Sequence, residues 1–287
     1  MDFEIINVTT TDELLKAIED NQHNNFKIGA GYTDLILELK QQAVEDLTII
    51  NIAQLDESSF NAITEEDDYI VIGALVTASD IVNSKIIKEL YPVLHEATLS
   101  VASTQIRNLA TIGGNICHAS PSADMSAALV ALQAKCTILN SEGKKRTEPL
   151  VTFIQDVRKT SLAKNEILKS ITIQKNSEAN IKSGFEKVGT RNSMECSIVS
   201  LSYHIQYKDT GVIEKAGVSC GAVAPIIPYA TSACDFIKGK NIKEISETDR
   251  IAFAKKVLAY ASPISDIRAS EWYRKEVLFN LSKTIFE

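Results

Sequence analysis

Between Gln105 and Asp124 the chain carries two adjacent glycines, a proline, many small polar residues and few charges. Its hydrophobic residues are too regularly spaced for a linker. Such a segment inside a globular chain implies backbone lying close against something. Its centre is Thr111-Ile112-Gly113-Gly114-Asn115. Successive glycines let a backbone approach a ligand with no Cβ in the way, and Thr111 and Asn115 flank them with hydrogen-bonding side chains. A tight hairpin turn is the alternative reading. Next, Ser120-Pro121-Ser122-Ala123-Asp124 opens an apolar helical run, Met125 to Ala134. Ser122 or Asp124 caps that helix, or Asp124 hydrogen-bonds a sugar or ribityl hydroxyl.

A second glycine segment, Gly29-Ala30-Gly31-Tyr32-Thr33-Asp34, begins like a dinucleotide fingerprint. The Rossmann pattern needs a third glycine three residues after the second, and that position is Asp34. Two readings remain: a strand-to-helix turn in which glycines supply unusual dihedrals, and an anion nest whose N–H groups point at a phosphate. Two glycine loops presenting N–H groups suit the two phosphates of a pyrophosphate.

The chemistry-bearing side chains form no catalytic or metal pattern. Cys117, Cys136, Cys196, Cys220 and Cys234 are widely spaced with no CxxC pair, which argues against zinc or iron–sulfur ligation by this chain. Cys117 reads as a small buried side chain. His118 either faces a ligand or is a loop histidine satisfied by its neighbours. There is no GxSxG, HExxH or P-loop pattern. The net charge of −7 lacks the basic footprint of a nucleic-acid binder. No run reads as a signal peptide or membrane span, and reduced cysteines suit a cytoplasmic protein.

With 287 residues, the chain is long enough for two modest domains. Residues 3–6, 47–50 and 69–72 read as strands, and Thr10 with Glu13 as a capping box opening a helix through Asp20. Thr77 to Glu96 is helical in pattern and interrupted at Pro92. Two small α/β units are therefore expected before residue 100. The polar stretch Gln174 to Lys182 marks a candidate boundary. Strand-like runs Ser197 to Tyr207 and Val212 to Val223 follow, then helical patterns Glu247 to Ala261 and Ala269 to Lys283.

The run from Gln105 to Lys135, QIRNLATIGGNICHASPSADMSAALVALQAK, resembles the flavin subunit of molybdenum hydroxylases, the family of xanthine dehydrogenases and carbon monoxide dehydrogenase. IGAGYTDL resembles that family's AGGTDL loop. NEILKSITI, GFEKVGTRNSMECSIVSLSYHI, GVSCGAVAPIIPYA and SPISDIRASEWYRKEVLFNL resemble further blocks, in the family's order. The similarity is greatest to the bacterial xanthine dehydrogenase FAD subunit.

The resemblance implies an α+β fold. It consists of a two-subdomain FAD-binding domain of the vanillyl-alcohol-oxidase/PCMH-like type (1–175, subdomains about 1–56 and 57–175), then a smaller α+β C-terminal domain with an antiparallel sheet (180–287). It implies non-covalent FAD held by Ile28, Gly29, Ala30, Gly31, Tyr32, Thr33, Asp34 and Leu35 of the first loop, and by Thr111, Ile112, Gly113, Gly114 and Asn115 of the second. Asp124, Leu168 and Lys187 match further FAD-contacting positions, and Val101 stands where animal relatives place an aromatic near the flavin. Tyr32 replaces the second glycine of the first loop, where it could stack or form a lid, and Tyr229 replaces the arginine of PxRA.

The implied role is electron relay. Substrate is hydroxylated at a molybdenum cofactor on one partner subunit, and electrons pass through [2Fe–2S] clusters on another. The flavin then reduces an acceptor, commonly NAD+, with no catalytic acid or base on this chain. A stand-alone FAD-dependent NAD(P)H reductase of the cell-wall precursor type is the alternative. It needs a catalytic acid that the sequence does not offer.

Overall fold

A computed structural model describes residues 3–41, 46–175, 180–191 and 194–287. Strands Phe3–Asn7, Asn25–Gly29 and Leu47–Asn51 form a parallel sheet with Leu47–Asn51 in the middle. Parallel strands need crossover helices, and the first begins at the expected capping box. Glu13 N donates to Thr10 Oγ1 at 3.2 Å, and Thr10 N donates back to Glu13 Oε2 at 3.3 Å. Helix Thr11–Asn21 buries Leu14, Ala17 and Ile18 against Ile50 and Ile52. Helix Leu35–Gln41 places Leu39 against Leu47 and Ile49. Alternate residues of the central strand thus serve opposite faces, as the two-residue period requires.

The second sheet is antiparallel, ordered Ile63–Glu65, Tyr69–Gly73, Glu166–Gln174, Lys135–Asn140, Lys145–Pro149. This corrects the expectation of two α/β units before residue 100. The second unit is completed only by Glu166–Gln174, which inserts between strands far earlier in the chain. Short helices fill the connection from residue 78 to residue 131. The helical run from Thr77 breaks at Ser84 as well as at Pro92, because Ser84 caps the next helix by accepting from Ile87 N. Pro92 then takes the first position of helix Pro92–Leu99, where its missing N–H is harmless.

Strands Asn180–Val188, Val199–Tyr207 and Ile213–Gly221 form an antiparallel sheet. Helices Thr231–Ile237, Glu247–Leu258 and Glu271–Thr284 follow, so strands precede helices here as expected. This sheet lies on the middle unit. Val93 N donates to Ser183 Oγ at 3.1 Å, and Ser219 Oγ donates to Ala127 O at 2.6 Å. Helix Asp124–Ala131 is buried along its whole length as a result, which suits its largely apolar sequence; its polar residues, Asp124 and Ser126, are both hydrogen-bonded. Within the boundary stretch, residues 176–179 lie outside the described residues. Among the described residues, no helix is long and apolar enough to cross a membrane.

Candidate functional site

The first glycine segment leaves strand Asn25–Gly29 and turns into helix Leu35–Gln41, as the strand-to-helix reading expects. The amides of Ala30, Gly31, Tyr32, Thr33 and Asp34 donate to no acceptor among the described residues. Unpaired donors in succession need water or an anion. Tyr32 sits at φ +60°, the conformation a glycine adopts freely. Its ring folds back over Gly29, where an added Cβ would lie 2.3 Å from Tyr32 Oη, and packs beside Leu35 and Leu39. Burial raises the pKa of its hydroxyl. The ring is therefore partly packed into the protein against the Leu39–Leu47–Ile49 cluster.

The second segment departs from the hairpin reading, and its amides are not free donors. It starts helix Ile112–Cys117 with Thr111 as the cap. Ile112 N donates to Val76 O at 3.0 Å, Gly113 N to Ala74 O at 2.9 Å, Gly114 N to Thr111 Oγ1 at 3.0 Å and Asn115 N to Thr111 O at 3.0 Å. Its amides are thus satisfied internally. The Asn115 side chain accepts from Ser126 N and Ser126 Oγ, which ties it to the next helix. Ile112 and Leu168 are core residues.

The glycines serve different contacts. A Cβ on Gly31 would stand 1.9 Å from Leu109 O, and one on Gly113 would stand 2.6 Å from Ala74 O. Both are contacts of chain with chain, and the first brings the two glycine segments together. Gly114 is exposed, and a Cβ there would meet only Thr111 Oγ1 at 3.0 Å. Gly114 thus leaves a stretch of exposed backbone that a larger side chain would cover.

Asp124 does not cap its helix, and nor does Ser122; the cap position is Ala123, without a side-chain bond. Three segments instead converge on the Asp124 carboxylate. Lys187 Nζ lies 2.5 Å from Oδ2, Ser100 Oγ lies 3.3 Å from Oδ2, and Ser197 Oγ lies 2.8 Å from Oδ1. Burial raises the Asp124 pKa, and Lys187 is the largest of the effects pulling it down. Lys187 also lines a cleft of about 770 Å³ with Leu99, Ser100, Ala102, Arg107, Val188 and Arg191. Val101, between two lining residues, packs on the core.

His118 is satisfied by its neighbours. Its Nε2 lies 3.5 Å from Asp34 Oδ1 and its Nδ1 lies 3.5 Å from Arg158 Nη1, which joins Glu38 Oε1 at 2.6 Å. Burial, with Arg158, lowers its pKa. Burial pushes the Cys117 thiol up to about 12, so it is no nucleophile at neutral pH. Sequence reasoning assigned no role to Arg107 or Ser197. Their partners are backbone carbonyls and a carboxylate distant in the chain, and neither leaves a local motif. Among the described residues, no cluster of His, Cys, Asp and Glu could hold a metal ion. The unpaired amides, the exposed Gly114 and the cleft walled by the 99–107 segment and Lys187 fit the needs of FAD, whose diphosphate takes donors and whose ring takes a walled space; neither glycine segment lines that cleft.

Residues 1–174 match the FAD binding domain in molybdopterin dehydrogenase, and residues 185–287 match the CO dehydrogenase flavoprotein C-terminal domain. The chain is 30% identical over 286 residues to the glyceraldehyde dehydrogenase medium chain of Sulfolobus acidocaldarius, covering 100% of this chain and 98% of that one. It is 27% identical over 279 residues to the xanthine dehydrogenase FAD-binding subunit of Escherichia coli O157:H7, covering 96% and 92%. It is 30% identical over 229 residues to xanthine dehydrogenase 1 of Arabidopsis thaliana; that match covers 75% of this chain and only 16% of that much longer protein. The fold matches a chain of carbon monoxide dehydrogenase from Hydrogenophaga pseudoflava with a TM-score of 0.90 and 24% identity, covering 99% of this chain and 96% of that one.

Proposed function

This chain belongs to the FAD-binding subunits of the molybdenum hydroxylase family, and from that premise we propose that it is the electron-transfer subunit of such a complex. It receives electrons from [2Fe–2S] clusters on one partner subunit and passes them to an acceptor such as NAD+. A second partner carries the molybdenum cofactor and chooses the organic substrate, and the assembly works in the cytoplasm. The observation that supports the reading is the row of unpaired amides from Ala30 to Asp34, in a segment whose Gly31 packs against Leu109 at the start of the second glycine segment.

Bound FAD supplies the exchange of electrons singly or in pairs, which lets one-electron donors meet a two-electron acceptor. The residues of this chain bind and orient it. The amides of residues 30–34 would hold the diphosphate. Lys187, fixed by Asp124, keeps a positive charge on the cleft wall. No side chain acts as a general acid or base.

The test is anaerobic pull-down of the tagged chain from its native cells, with the cofactors of each co-purifying subunit identified. A molybdenum subunit and a [2Fe–2S] subunit are expected, with FAD on this chain that is reoxidised by NAD+ after reduction. A chain recovered alone, yellow and turning over NAD(P)H, overturns the reading.

A further inference from the structure

The turn that walls the cleft is held by two cations. Arg107 Nη1 donates to Leu99 O at 3.2 Å, to Val101 O at 2.8 Å and to Ala102 O at 3.3 Å, while Nη2 donates to Thr104 Oγ1 at 3.0 Å. Lys187 Nζ donates to the intervening carbonyl, Ser100 O, at 3.4 Å. Successive carbonyls of one turn thus point at positive charge. Converging carbonyl dipoles repel one another unless a donor lies between them. Ala102 adds strain, because its φ of +39° lies in the left-handed region that a residue with a Cβ avoids.

The four contacts of the Arg107 guanidinium all go to neutral oxygens of its own loop. The three carbonyls share Nη1 while Nη2 reaches Thr104 Oγ1, so the planar fork clamps the turn and the next helix together, which the single nitrogen of an ammonium does not do. Lys187 cannot replace it, since its own ammonium is held by Asp124. Leu99, Ser100 and Ala102 of this turn line the cleft together with Arg107. Between them lies Val101, the position that the family resemblance places near the flavin.

We propose that Arg107 is a positioning residue, which holds the 99–102 turn in one conformation and thereby sets the cleft wall against the flavin. The proposal rests on the reading of this chain as an FAD carrier.

The full chain is prepared as wild type, Arg107→Met and Arg107→Lys, and the FAD content of the wild type is measured first. Both variants are expected to keep FAD, because the amides of residues 30–34 are untouched. The flavin's visible absorption and circular dichroism bands shift in Arg107→Met, and its midpoint potential moves with them. Arg107→Lys falls between Arg107→Met and the wild type. Amide exchange at residues 99–103 speeds up about tenfold in Arg107→Met and less in Arg107→Lys, while exchange at residues 30–34 stays as in the wild type. Arg107→Lys keeps the stem and the charge, so it reports even where Arg107→Met fails to fold. Unchanged flavin bands, potential and exchange in an FAD-loaded variant overturn the proposal. A wild-type chain without FAD overturns both the proposal and the cofactor reading.

Discussion

The ammonium of Lys187 lies 2.5 Å from the carboxylate of Asp124, and both side chains are largely removed from solvent. The pair joins strand Asn180–Val188 to the start of helix Asp124–Ala131, so it ties the C-terminal sheet to the middle unit at the cleft. Removing one partner strands the other charge. Lys187→Met is expected to cost about 3 kcal/mol, because Asp124 keeps only two serine donors. The double variant Lys187→Met with Asp124→Leu is expected to recover most of that loss, since no buried charge remains. Urea unfolding of the wild type, both single variants and the double variant gives the coupling. Additive losses would show that the pair is not a unit.

The glycines of residues 113 and 114 are expected to answer differently to a larger side chain. At Gly113 a Cβ strikes Ala74 O at 2.6 Å, so Gly113→Val lowers the melting temperature. At Gly114 a Cβ meets only the Thr111 hydroxyl, at 3.0 Å, and the position is exposed, so Gly114→Val leaves a folded chain that no longer holds FAD. Flavin absorbance per chain and thermal melting separate the two. A folded Gly114→Val chain with stoichiometric FAD would remove Gly114 from the site.

Tyr32 combines strain with packing. Its φ of +60° costs about 1 kcal/mol for a residue with a Cβ, which the packing of its partly buried ring more than offsets. Tyr32→Ala keeps the strain and loses the ring; Tyr32→Gly loses both. The alanine variant is therefore expected to be less stable than the glycine variant by about 1 kcal/mol, with the wild type above both. Equal midpoints in urea for the two variants would mean the backbone there relaxes.

Much of this was legible in the sequence where the cause is local. The Thr10–Glu13 box spans three residues, and both ends are visible in one glance along the chain. Asp124 and Lys187 were each singled out, but their pairing spans 63 positions and no spacing rule reports it. The division of labour between Gly113 and Gly114 was hidden because successive helical residues point about 100° apart, so one faces the protein and the other solvent. Arg107 was hidden for a different reason: its acceptors are carbonyls, which every residue carries. The central place of Glu166–Gln174 followed from pairing with strands on both sides, which its own apolar pattern does not encode.

Acid is expected to weaken the fold through His204. The imidazole is buried, bonds to Ser183 Oγ at 3.0 Å, and has its pKa pushed down to about 4, by burial first and Lys215 second. The unfolded chain, titrating near 6.5, takes up its proton first as the pH falls. Its contribution is therefore complete above pH 6.5 and is lost as the pH drops toward 4. At pH 5 the loss is about 2 kcal/mol relative to neutral pH. His118, also lowered, adds to it in the same direction. His204→Gln keeps a polar group near Ser183 but cannot be protonated, so its unfolding free energy is expected to vary less between pH 7 and pH 5. Parallel pH profiles for the variant and the wild type would assign the acid sensitivity elsewhere.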